Sequence, residues 1–172
     1  LGKDGFAPGT HATLSARFAE SRGNFDEAIE WYERAMGYIA EPARRAEAYA
    51  AQAFCYIKMN KKSEAERSFM MALLEGGPVA WIGHNWSLLK YELGNLAGAI
   101  EMNRRVLEWD WNSPPANDFK NFLIEIMGQR NEPYPGPIST QEERFRGIAL
   151  PGCHPTVLAQ LGVEAWQPPK RG

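Results

Sequence analysis

"GNFDEAIEWYERAM", residues 23–36, opens on a turn glycine and runs on with small and bulky apolar residues at helical spacing. It recurs as "NKKSEAERSFMMAL" at 60–73 and "GNLAGAIEMNRRVL" at 94–107. Ala28, Ala65 and Ala99 take one place in the three copies, at intervals of 37 and 34 residues, and seven positions on stand Ala35, Ala72 and Val106. Small residues seven apart share one helical face, where they let a second helix come close. Bulky residues fill the space around that contact: Ile29, Trp31 and Tyr32 in the first copy, Phe69 and Leu73 in the second, Ile100 and Leu107 in the third.

Working outward, each copy follows a turn signal, Gly23-Asn24, Asn60 or Gly94-Asn95, and ahead of each turn lies another helical stretch, at 11–22, 46–59 and 80–93. Each unit therefore reads as a helical hairpin. Asn24 with Glu27, and Ser63 with Glu66, form capping-box patterns for the second helices. Pro42, Pro78 and Pro114 fall just beyond those helices, where proline is expected to stop them.

Gly23, Ala28, Tyr32 and Ala35, then Tyr49, Ala53, Tyr56, Ala65, Phe69 and Ala72, then Gly94, Ala99 and Val106 make the segment from about 9 to 113 resemble the tetratricopeptide repeat proteins, whose unit is a helical hairpin of about 34 residues. The resemblance implies an all-α fold, a right-handed α-solenoid of three hairpins. Two departures are visible: Ala12 and Ala19 stand where bulkier residues are usual, and the first helix of the third unit fits with a slip of one residue.

An array of this kind has an open end, and "PPANDFKNFLIEIMGQR" follows the third unit directly, with Phe119, Phe122, Leu123, Ile126 and Met127 as one apolar stripe. Residues 115–129 read as a capping helix, the alternative being the first helix of a degenerate fourth repeat. This divides the chain into a repeat domain with its cap, 1–129, and a C-terminal extension, 130–172, that holds seven of the twelve prolines. Two short helices are expected in the extension, one boxed by Thr140 and Glu143, the other starting at Pro155 and carrying Val157, Leu158, Leu161 and Trp166. That apolar content suits packing on the repeats, in their groove or on another subunit; the first is preferred.

The formal net charge of −2, with acids and bases interspersed, argues against nucleic acid as a partner. No apolar run approaches the ~20 residues that span a bilayer, so membrane insertion is not expected. The first residue is Leu1, which leaves room for a lost targeting signal; a soluble, cytoplasmic setting is favoured. Cys55 and Cys153 sit in unlike contexts and are expected to remain unbridged. His11, His84 and His154 lack metal-ligand spacing, and neither HExxH, a paired CxxC, a phosphate-binding glycine loop nor GxSxG occurs. No cofactor or metal is implied. "PGCHP" at 151–155 is the one reactive-looking cluster, but neighbouring side chains usually diverge, and a plain loop is preferred.

The family resemblance implies a concave groove lined by the first helices and open to a peptide or partner helix. By register its lining here is Arg17 from the first unit, Phe54 and Lys58 from the second, and Trp81, His84, Asn85 and Tyr91 from the third. For each the plainer reading is helix packing or a solvated charge. Cochaperones of this family grip a carboxylate with Lys, Asn and Arg at places that here read Thr13, Arg17, Ala51, Trp81 and Asn85. The clamp is missing, so an apolar or amphipathic protein or peptide is expected instead of an acidic chaperone tail. A noncatalytic interaction scaffold is the leading function. The alternatives are an accessory or regulatory domain of a larger enzyme or complex and, more weakly, a hydrolase or transferase using Cys153 and His154. Trp109 and Trp111 mark either an exposed contact patch or the packing of the third unit on its cap.

Overall fold

A computed structural model describes residues 7–134, and within them the chain forms seven α-helices: α1 (Pro8–Ser21), α2 (Phe25–Met36), α3 (Pro42–Lys58), α4 (Lys62–Gly76), α5 (Ala80–Glu92), α6 (Leu96–Trp109) and α7 (Pro114–Gln129). Among the described residues there is no strand. The extension beyond residue 134, with both of its expected helices, lies outside the described residues. The helices fall into two compact units, one ending at Gly77 and holding α1 to α4, the other beginning at Pro78 and holding α5 to α7.

One turn closes every hairpin. Gly23, Asn60 and Gly94 take φ of 77°, 58° and 80°, the left-handed region that favours glycine and tolerates asparagine. The next amide in each case donates back across the helix end: Asn24 N to Ala19 O, Lys61 N to Tyr56 O and Asn95 N to Lys90 O, at 2.8–2.9 Å. A fourth turn of the same kind follows α7, with Asn131 at φ 55° and Glu132 N donating to Met127 O at 3.0 Å. The end of α7 is thus built like the end of a first helix.

Helix starts differ from the sequence expectation in two respects. Pro42 and Pro114 do not merely end what precedes them; each is the first residue of the next helix, as Pro8 is of α1, because the first helical amide has no acceptor to lose. The expected capping boxes also fail. Ser63 lies inside α4, whose cap is Lys61, and Asn24 caps α2 without accepting a backbone amide, its own amide reaching Glu27 at 3.5 Å instead. Side-chain capping occurs at Asn95, which accepts from Gly98 N at 2.9 Å, and at Ser113, which accepts from Ala116 N at 3.4 Å.

The small residues do what their spacing requires: Ala28, Ala35, Ala65, Ala72, Ala99 and Val106 are all fully buried. In the first unit α1 pairs with α2, α3 with α4, and α3 also lies on α2. Ala48, Ala51 and Cys55 of α3 meet Ile29, Tyr32 and Met36 of α2 in one core, where buried Gln52 donates to Ile29 O at 3.1 Å. Arg45 closes the far end of that contact, donating to Met36 O and Ile39 O and pairing with Glu75 of α4. In the second unit α5 pairs with α6 and α7 lies on α6, with Leu88 of α5, Ala99 and Ile100 of α6, and Phe119, Leu123 and Met127 of α7 in one core. Nine residues past its turn the third hairpin has Asn103, where the others have Tyr32 and Phe69; fully buried, it donates to Ala116 O at 3.0 Å and ties α6 to α7.

Size is traded across the third hairpin. Val106 replaces the second alanine of the pattern, and Gly83 on α5 faces it: a Cβ there would stand 2.7 Å from Val106 Cγ2 and 2.9 Å from Trp109 Cζ3. Gly83→Ala is therefore expected to destabilise the protein by about 1–3 kcal/mol through overpacking, against the ~1 kcal/mol that helix propensity returns. Val106→Ala in the same chain should recover part of the loss in urea unfolding, the contact with Trp109 remaining. A stabilised single variant would show that the contact yields freely.

Candidate functional site

The seven residues read as groove lining divide between the units, and their surroundings differ. In the first unit Arg17 on α1 and Lys58 at the end of α3 are exposed. Phe54 is 9% exposed, its ring edge-on to Phe69 of α4 at 5.5 Å, so its area goes into holding the second hairpin together. The first unit thus offers two cations at the surface and a ring turned inward.

In the second unit Trp81, His84 and Asn85 are 8%, 4% and 5% exposed, and every residue from Ala80 to Asn85 is buried. The α5 segment is apolar nearly all round, the signature of an enclosed helix and not of one with an open face. Asn85 donates to Trp81 O at 2.8 Å, one turn back. His84 and Tyr91 each meet the ring of Phe119 edge-on at 6.2 Å, and Tyr91 meets Phe122 at 5.2 Å. Phe119 on α7 therefore brings His84 and Tyr91 together, inside the second unit's own packing. Burial pushes the His84 imidazole down to about 4, and its Nδ1 has no hydrogen-bond partner. At neutral pH it is an uncharged ring. Trp109 likewise packs, its ring lying over Gly83.

At the places of the carboxylate clamp, Thr13 donates its hydroxyl to Gly9 O at 2.9 Å, Ala51 is buried against α2, and Trp81 and Asn85 are enclosed as described. Of these residues Arg17 alone carries a charge.

One polar cluster stands inside the first unit. The Tyr32 hydroxyl donates to Glu20 Oε1 at 2.6 Å and the Cys55 thiol reaches the same oxygen at 3.5 Å. Burial raises the pKa of all three, most plainly holding Cys55 protonated and so unreactive. Among the described residues no group of His, Cys, Asp and Glu is arranged to hold a metal ion, and no helix is long and apolar enough to cross a membrane. The Cys153–His154 cluster lies outside the described residues.

A surface that the sequence reading did not single out lies on the first hairpin. Leu14, Phe18 and Tyr38 are 44%, 62% and 66% exposed beside two adjoining hollows of about 700 and 330 Å³, which share His11 and Trp31. Arg34 lies over the Trp31 ring at 4.7 Å and Arg22 over the Phe18 ring at 5.3 Å. The legible signal was Leu14 and Phe18 themselves, large apolar residues on the helix turn opposite Ala12, Ala16 and Ala19.

Comparison with known proteins agrees with this architecture. The tetratricopeptide repeat family matches residues 13–41. No curated protein matches the chain in sequence. Among solved structures, the first such domain of Spaghetti, determined with the HSP90 peptide SRMEEVD, is 20% identical with a TM-score of 0.60, over 70% of this chain and 94% of that one. MamA is 17% identical with a TM-score of 0.61, over 72% of this chain and 70% of that one. The Sgt2 domain from Aspergillus fumigatus is 15% identical with a TM-score of 0.62, over 78% and 88%. At these identities the likeness is one of fold.

Proposed function

We propose that this chain, a tetratricopeptide repeat protein, is a noncatalytic scaffold that binds another protein through a peptide or helix of apolar or amphipathic character, received along its first helices. The observation that carries the reading is the repeat itself: hairpins whose small residues are buried in helix packing, with the tetratricopeptide repeat family matching residues 13–41. Arg17 and Lys58 supply the exposed charges that would orient a partner, and Phe54, Trp81, His84, Asn85 and Tyr91 the aromatic and amide groups. Enclosed as they are, the residues of α5 would act by shaping the surface or by admitting a partner on a small opening of the second unit.

The solved relative from Spaghetti holds an acidic peptide, and the residues at the clamp places here are of the wrong kind for it. Calorimetric titration of the full chain with SRMEEVD is accordingly expected to give no saturable heat up to ~1 mM peptide. Affinity capture from the native source with the full chain, and with Arg17→Glu and Lys58→Glu together, tests the positive side. Partners retained by the native chain and lost from the variant, with melting unchanged, support the assignment. Tight binding of SRMEEVD would overturn the partner class, and a partner indifferent to both substitutions would move the site elsewhere.

A further inference from the structure

α7 ends on the left-handed turn that closes each hairpin, with Asn131 in the place of Gly23 and Gly94. Counted back from that turn, Lys120, Ile124 and Met127 on α7 take the places of Ala12, Ala16 and Ala19 on α1. On α1 those places serve its own second helix: Ala12 shares a core with Ala35, and Ala16 and Ala19 share another with Ala28. Gly83, in the place of Lys120 on α5, likewise lies against Val106 and Trp109 of α6. α7 therefore carries a face built for a second helix, and among the described residues none follows it. The other second helices begin two residues past the turn residue. Here that stretch reads "PYPGP", 133–137, and prolines inside a first turn and beyond it take away helical hydrogen bonds.

Lys120 decides what can complete the hairpin. It is 7% exposed, and no described carboxylate pairs with its ammonium. On α7 itself the acids Asp118 and Glu125 stand two and five places away, off the three- or four-residue spacing at which helix side chains meet. A buried ammonium is costly without a paired charge, so the occupant of this face must bring a carboxylate to it. We propose that the occupant is the helix expected from Pro155 to Trp166 in the chain's own extension, antiparallel on α7, with Glu164 paired to Lys120. Val157, Leu161 and Glu164 share one helical face just as Met127, Ile124 and Lys120 do, each set spanning about 10 Å. Laid antiparallel, as in every hairpin here, Val157 meets Met127, Leu161 meets Ile124, and Glu164 meets Lys120. Order along the chain selects this helix over the one expected from Thr140. That stretch has its acids, Glu142 and Glu143, in its first turn and Ile148 and Leu150 at its end, which would set apolar groups against the ammonium. The twenty residues 135–154 can span up to about 65 Å, ample for a return along α7, whose 16 residues measure about 24 Å.

The test is a charge-reversal cycle in the full chain, read by thermal melting. Lys120→Glu and Glu164→Lys should each lower the midpoint by about 5–10 °C, and the two together should recover more than half of the summed loss. Lys120→Met separates a paired lysine from one that is merely buried: it should lower the midpoint by stranding Glu164, whereas an unpaired cation replaced by an apolar side chain would raise it. Independently, Leu161→Glu, which alters no described residue, should speed hydrogen exchange of the α7 amides about 10-fold or more by uncovering the helix. A double reversal no better than the sum of its parts would overturn the proposal. So would a stabilised Lys120→Met chain, or α7 exchange that Leu161→Glu leaves at the native rate.

Discussion

Phe119→Ala is expected to lower the free energy of unfolding by about 3–5 kcal/mol, the range for removing a fully enclosed aromatic ring. Phe119 is 1% exposed and touches three rings at once, edge-on to His84 and Tyr91 and stacked on Phe122 at 6.1 Å. Its loss takes away both transfer energy and the contact by which α7 holds to His84 and Tyr91 of α5. Phe122→Ala, half-buried and in contact with fewer of these rings, should cost less than half as much. Urea unfolding of the two variants against the native chain gives the comparison. Equal and small losses would mean that Leu123, Met127 and the Asn103 hydrogen bond suffice to hold α7.

Acidification should destabilise the protein through His84 by about 3 kcal/mol. The imidazole is neutral in the folded state, with a pKa of about 4 against the ordinary 6.5, so the unfolded chain takes up a proton that the folded one refuses. The stabilising contribution is complete above pH 6.5 and falls as pH drops from there. Below about pH 4 it is gone, the gap corresponding to about 3 kcal/mol at 1.36 kcal/mol per pH unit. Glu20 works in the opposite sense, since burial raises its pKa and so favours the folded state at low pH. The comparison that isolates His84 is stability against pH for the native chain and for His84→Phe, whose curve should lack the fall between pH 6.5 and 4. Parallel curves would place the acid sensitivity on other groups.

The hairpins were legible because their signal is covalently simple: small residues seven apart after a turn residue of positive φ, and every one of those small residues is buried to zero exposure. Helix starts were harder. A Ser-x-x-Glu pattern such as Ser63 to Glu66 satisfies the capping rule wherever it falls, whereas the start of α4 is set by the left-handed turn at Asn60, which leaves Lys61 as the cap. A proline between helices fits both as a stop and as a first residue, and in loops this short the two roles meet in one residue. The exchange between Gly83 and Val106 was out of reach, because it depends on which residues of two helices face each other.

The site was less legible than the fold for a related reason. Placing Trp81, His84 and Asn85 along a groove assumes that α5 keeps one face open, yet "AWIGHNWSLL" has apolar residues around its whole circumference, and the structure encloses it. Arg17 and Lys58 stand at the surface as exposed charges do. Leu14 and Phe18 gave a signal of the other kind, apolar residues outside the small-residue stripe, and the structure leaves both exposed.

The left-handed turns also set a timetable. Three residues separate α1 from α2, so closing the first hairpin costs little loop entropy and depends on nothing further along the chain. Synthesis proceeds at about 5–20 residues per second, so the 17 residues of α3 take on the order of a second to appear, while helical hairpins form within about a millisecond. Each hairpin can therefore be complete before the next leaves the ribosome, and α3 emerges onto an α2 already in place to receive it.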